Sequence, residues 1–180
     1  GTENWLTYNR AIGATKAVFL NLTDTPHTNT AWFNNTDPSS SFFTLGSGNA
    51  VNNSNGDTYV AYCFAPVAGY SAFGSYEGTG SAGNFVHTGF RVGWLLVKNA
   101  DGTNSWQIMD TTREPLNQNN VWLQPNTNTA EQDNSAIGID FLSNGFCLRG
   151  TDGGVNGSGN TYIYVAFAEN TFQDNGGLAQ

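Results

Sequence analysis

Thr161-Tyr162-Ile163-Tyr164-Val165-Ala166-Phe167-Ala168 is the stretch that decides the fold. β-Branched and aromatic residues dominate it, and Gly157-Ser158-Gly159-Asn160 supplies turn residues just ahead of it. Apolar side chains occupy positions of both parities. A strand with this pattern is covered on both faces and stands in the middle of a sheet. A close variant, Thr58-Tyr59-Val60-Ala61-Tyr62-Cys63-Phe64-Ala65, occurs 103 residues earlier.

Other matches fall on the same offset. Phe43-Thr44-Leu45 aligns with Phe146-Cys147-Leu148, and Val18-Phe19-Leu20 with Val121-Trp122-Leu123. Asp37 and Ser40 fall on Asp140 and Ser143. Slightly off the diagonal, Val51-Asn52 matches Val155-Asn156, and Trp5 matches Trp106. The chain therefore reads as a duplicated unit of about 100 residues. The first copy occupies 1–68 and the second 69–180, with a Gly-, Ser- and Ala-rich joint around 66–83.

Three strand-like runs precede Trp106 (72–76, 84–91 and 94–98), whereas four residues precede Trp5. The first copy is thus expected to lack its opening strands. Two sources fit: an upstream extension of the polypeptide, or strands donated by another chain, since an open sheet edge invites pairing.

Further strands are expected at 15–21, 42–45, 58–65, 85–90, 106–110, 121–123, 137–142 and 146–149, with turns at 53–57 and 156–160. The expected fold is all-β, a jelly-roll or concanavalin-like sandwich. Each copy forming its own sandwich and both copies sharing one are alternative packings.

Charged residues make up 11% of the chain, against a usual share of about 25%. The surface must therefore be carried by Asn, Thr, Ser and Gly. Net charge is −8, and the six Lys and Arg are scattered. This argues against nucleic acid and anionic membranes as partners, and no apolar run approaches a membrane span. Cys63 and Cys147 lie in strand-like runs without metal-ligand spacing, and read as buried free thiols; a disulfide between them is the alternative.

Four segments carry a family resemblance: Gly69-Tyr70-Ser71-Ala72-Phe73-Gly74-Ser75-Tyr76, Thr88-Gly89-Phe90-Arg91-Val92-Gly93-Trp94-Leu95-Leu96-Val97-Lys98, Ile139-Asp140-Phe141-Leu142-Ser143-Asn144-Gly145-Phe146 and Thr161-Tyr162-Ile163-Tyr164-Val165-Ala166-Phe167-Ala168-Glu169-Asn170. From about Gly13 onward the chain resembles a repeat family of tail fibres and other virion proteins of marine bacteriophages. It departs from that pattern at Val92 and Thr171, where Pro is common. The resemblance implies an extracellular location on the virion surface or tail fibre. Homo-oligomers (trimers or polymers), other virion proteins and host surface glycans are the implied partners.

No catalytic constellation is legible. His27 and His87 are the only histidines and neither lies in a hydrolase motif, so no enzyme activity is expected. No cofactor is expected either. Calcium is the one metal the sequence invites, through Asp152, Asn156 and Asn160, although turn chemistry accounts for the same residues.

Sugar binding uses an exposed ring beside amide donors and acceptors. Trp5/Trp106, Phe19/Trp122, Tyr59/Tyr162 and Phe64/Phe167 recur in both copies and are expected in the core. Trp32 does not recur, and it sits in a polar loop with His27, Asn29 and Asn34. With Tyr70 and Tyr76 beside the joint, these are the candidate ligand-binding residues; the alternative role for Trp32 is a plug over the incomplete end of the first copy. A structural subunit that assembles through strand or edge complementation is the rival to host attachment.

Overall fold

A computed structural model describes residues 3–52 and 56–170. The predicted turn residues 53–55 and the departure at Thr171 lie outside the described residues. Among the described residues twelve strands form in chain order: β1 (Leu6–Thr7), β2 (Lys16–Phe19), β3 (His27–Thr28), β4 (Ser71–Glu77), β5 (Asn84–His87), β6 (Val92–Asn99), β7 (Gln107–Asp110), β8 (Val121–Trp122), β9 (Gln132–Asp133), β10 (Ile139–Leu142), β11 (Gly145–Leu148) and β12 (Thr161–Ala168). One helical turn, α1 (Thr30–Phe33), and one 3-10 turn (Ser135–Ile137) complete them. The protein is nearly all-β, and every strand pairing is antiparallel.

The expectation for 161–168 holds. β12 runs between β4 and β6 in a sheet ordered β4-β12-β6-β7, with Tyr164 opposite Gly74 on one side and Val97 on the other. Tyr162, Tyr164 and Ala166 point toward the sheet β10-β11-β5 and meet Val86, Phe141, Phe146 and Leu148 in a sandwich-like core. Ile163, on the opposite face, packs with Val18, Ala100 and Trp106. Sheet β1-β2-β3 covers that second face. Trp106 joins the two bodies, its indole Nε1 donating to Phe19 O at 3.0 Å.

A small hydrogen-bonded arrangement occurs twice. Asn29 Oδ1 accepts from Ala31 N and caps α1; Asn134 Oδ1 accepts from Ala136 N and caps the 3-10 turn, both at 2.9 Å. Ala31 O then accepts from Gly48 N at 2.7 Å, and Ala136 O from Asp152 N at 3.0 Å. Gly46 and Gly150 each pass so close to those alanine carbonyls that a Cβ would collide with them. Asn52 Nδ2 donates to Gly46 O, as Asn156 Nδ2 does to Gly150 O. Finally, Tyr59 OH donates to Asn49 O and Tyr162 OH to Gly153 O, each at 2.7 Å.

The resemblance between the halves stops at the strands. Residues 58–65 carry the side-chain pattern of β12 yet join no ladder, contrary to expectation. β12 exists because β4 and β6 satisfy its backbone on both sides; beside 58–65 the described residues supply no such pair, and backbone that lacks a partner strand turns to water. Residues 42–45 are likewise not a strand. The hairpin closure corresponding to β10-β11 survives as one bond, Ser39 N to Phe42 O at 2.9 Å.

The core expectations divide accordingly. Trp106 is 2% exposed but Trp5 is 52% exposed; Tyr162 is fully buried while Tyr59 is exposed. Phe64 is 66% exposed, against a half-buried Phe167. Cys147 is buried in β11, whereas Cys63 is exposed; both are free thiols.

Lys98 is a feature that strand alternation does not announce. It pairs with Ile163 on β12 and is fully buried, its Nζ donating to Asn99 O (2.6 Å) and Gly102 O (2.9 Å). Burial lowers its pKa to about 8, with the Asp24 carboxylate pulling the other way. The unfolded chain, with an ordinary lysine, binds more protons than the folded chain above pH 8, so stability rises with pH there. The expected gain is roughly 2 kcal/mol between pH 8 and 10. Above that, Tyr76, Tyr162 and Tyr164 hold their protons longer folded than unfolded and reverse the trend. Urea melts across this range should show the rise in the native chain and lose it in Lys98→Met; an unchanged rise in the variant would assign it elsewhere.

Candidate functional site

Two surfaces lie in the first third of the chain. The first is an aromatic ledge. β2 delivers Phe19, and the Asn29 cap sets the direction of α1, which brings Trp32 edge-on to Phe19 with ring centroids 5.6 Å apart. His27, on β3, tilts against the same ring at 5.3 Å and is 3.1 Å from Asp24 through Nε2. Asn34 ends the helix in the left-handed conformation, φ 51°. Sequence-predicted Trp32, His27, Asn29 and Asn34 thus belong to one neighbourhood. Within it the Asn29 side-chain oxygen is already engaged by Ala31 N. Trp32 is half-buried and His27 is exposed.

The two predicted tyrosines lie elsewhere. Tyr70 meets Phe167 edge-on at 5.9 Å, in a cluster where Phe64, Phe73 and Trp94 surround the same ring. Tyr76 packs into the sandwich, stacked on Tyr162 at 5.0 Å and 12°, and its OH donates to Val155 O at 2.6 Å. Burial, and then the neighbouring Tyr162, push its phenol well above the usual range. Tyr76 therefore works as a core residue.

In the loop considered for calcium, Asn156 is fully buried. Its Oδ1 accepts from Thr79 N and Asn84 Nδ2, and its Nδ2 donates to Ser81 O and Gly150 O. Asp152 Oδ1 accepts from Gly154 N at 2.7 Å. These bonds lock the loop onto β4 and β5. Among the described residues, no three His, Cys, Asp or Glu side chains gather to hold a metal ion. Between β2 and the start of β12 lies an open polar cleft of about 460 Å³, bordered by Ile12, Lys16, Pro26, Asp101 and Thr161.

The second surface is the apolar tract 58–65, of which Tyr59 and Phe64 are expected in the core, with Phe42 earlier in the chain. Phe42, Val60, Tyr62 and Phe64 are each more than 60% exposed. Tyr62 stacks on Trp5 at 6.4 Å, so two half-covered rings shield one another. Large exposed apolar side chains thus stand at alternate positions of this tract.

Among the described residues, no helix is long and apolar enough to cross a membrane. No curated protein and no solved structure matches the chain. A family model described as "Domain of unknown function (DUF7483)" matches residues 1–171, and the chain belongs to that family.

Proposed function

We propose that the chain is a non-enzymatic structural module of an extracellular assembly, a virion or tail fibre, built from a duplicated β-unit of jelly-roll type whose first copy is completed by a neighbour. The observation that carries this reading is the tract 58–65: a central-strand sequence outside every ladder, with Tyr62 71% exposed. The twice-occurring Asn-capped turn supports the duplication. The neutral polar surface and the resemblance to phage fibre repeats support the location and the partners, which are other copies and other virion proteins.

Sedimentation over a wide concentration range tests the assembly. The native chain should self-associate, and Val60→Asp with Tyr62→Asp should abolish association while leaving the far-ultraviolet spectrum intact. A native chain that stays monomeric throughout would overturn the proposal.

A second reading, attachment to host surface glycans, draws on the Phe19–His27–Trp32 ledge, where a ring edge stands beside polar groups. Under it, Trp32→Ala should lose binding to whole cells or a glycan array at least tenfold with the fold retained. Unchanged binding by the folded variant would remove the ledge from consideration.

A further inference from the structure

Resting on the duplicated-unit reading, we infer that residues 58–65 form the middle strand of a further sheet, flanked by two strands of the β4 and β6 type from another unit of this family.

The tract is fixed at both ends, and between them it joins no ladder, its contacts being ring contacts of Tyr62 with Trp5 and of Phe64 with Phe167. At its start, Val51 N and Asn52 N donate to Gly48 O, as Val155 N and Asn156 N do to Asp152 O ahead of β12. Tyr59 OH anchors to Asn49 O as Tyr162 OH anchors to Gly153 O. At its end, Val67 bridges Ser71, and Ser71 Oγ donates to Ala65 O at 2.8 Å. The chain is thus delivered to the point where β12 begins its ladders.

The residue-by-residue match then specifies the occupant. Tyr59, Ala61 and Cys63 take the places of Tyr162, Tyr164 and Ala166, whose side chains enter the sandwich core. Val60, Tyr62 and Phe64 take those of Ile163, Val165 and Phe167, on the opposite face. A strand with both faces apolar that joins no ladder among the described residues needs a neighbour on each side, as β12 has. A single added strand would leave one edge in water. In β12 the residue at the Cys63 position, Ala166, is paired with Ala72 of β4 and Leu95 of β6. In sequence, Gly1-Thr2-Glu3-Asn4-Trp5 also resembles Gly102-Thr103-Asn104-Ser105-Trp106, the run between β6 and β7.

The test is a fusion that places a second copy of residues 69–101 directly ahead of Gly1 of the full chain. Cys63 reports completion because it is exposed now, while Cys147 is buried. A maleimide should label Cys63 rapidly in the unfused chain and roughly 100-fold or more slowly in the fusion, with Cys147 protected in both. Register is read by cysteines placed in the added copy. Ala72→Cys and Leu95→Cys should each cross-link to Cys63 on oxidation; Leu96→Cys, facing the other way, should not.

A folded fusion whose Cys63 labels as fast as in the unfused chain overturns the inference. Cross-linking that favours Leu96→Cys also overturns it. If the fusion does not fold, the same cysteine variants are made in a separate 69–101 peptide and refolded with the full chain; absence of both cross-links there overturns it too. A chain that self-associates through 58–65 but fails these tests keeps its assembly role and loses only this partner.

Discussion

Asn156→Ala should lower stability by about 3–5 kcal/mol, the largest single effect expected outside the large core side chains. The amide is fully buried and makes four hydrogen bonds, to Thr79 N, Asn84 Nδ2, Ser81 O and Gly150 O. Truncation leaves those four groups without the amide that satisfies them. Two of them, Thr79 and Ser81, belong to the segment joining β4 to β5 and a third, Asn84, opens β5, so the loss should also loosen that edge of the sandwich. The internal control is Asn52→Ala. Asn52 is exposed and its Nδ2 makes one long bond, 3.2 Å, to Gly46 O, so its removal should cost less than about 1 kcal/mol. Urea unfolding of the two variants decides the matter. Equal losses would mean that burial does not set the value of this amide.

Trp106→Ala should cost about 3–5 kcal/mol, with an added consequence for the N-terminal sheet. The indole fills the space between β1-β2-β3 and the outer face of β12, and holds Phe19 O through Nε1. Without it, Val18 and Ile163 face a cavity and the carbonyl of Phe19 keeps only the longer bond from Leu22 N, at 3.2 Å. Hydrogen exchange should therefore accelerate in β2 before it does in β10 and β11. Trp5→Ala, at a half-exposed ring stacked on Tyr62, should cost about 1 kcal/mol or less. If exchange in β2 matched that in the native chain, the indole would not be what joins the two bodies.

These pairs also show what the sequence could and could not convey. β12 was legible to its exact ends because its alternating faces are both covered and its flanking strands are both present. Residues 58–65 have nearly the same side chains and no strand, because a central strand is a property of its neighbours as much as of its own residues. The same logic separates Trp5 from Trp106 and Cys63 from Cys147. Trp32, His27, Asn29 and Asn34 were legible as a neighbourhood because they are close in sequence. Tyr76 was not, since its partner Val155 is far away along the chain and the bond to it exists only in the folded sandwich. Lys98 was equally hidden: its carbonyl partners, Asn99 and Gly102, come from a turn whose path the sequence does not draw. Asn29 and Asn134 could have been found as caps, as each stands two residues ahead of the alanine whose N–H it accepts.

The strand order β4-β12-β6-β7 has a consequence for biosynthesis. β4 and β6 leave the ribosome well before the strand that separates them, and until β12 arrives their inner edges are open. β6 and β7 can pair as they emerge, but β4 cannot join them until β12 inserts between β4 and β6. Folding of this kind is dominated by distant contacts and is slow, with an interval in which two strands of one nascent chain lie ready to capture the wrong partner.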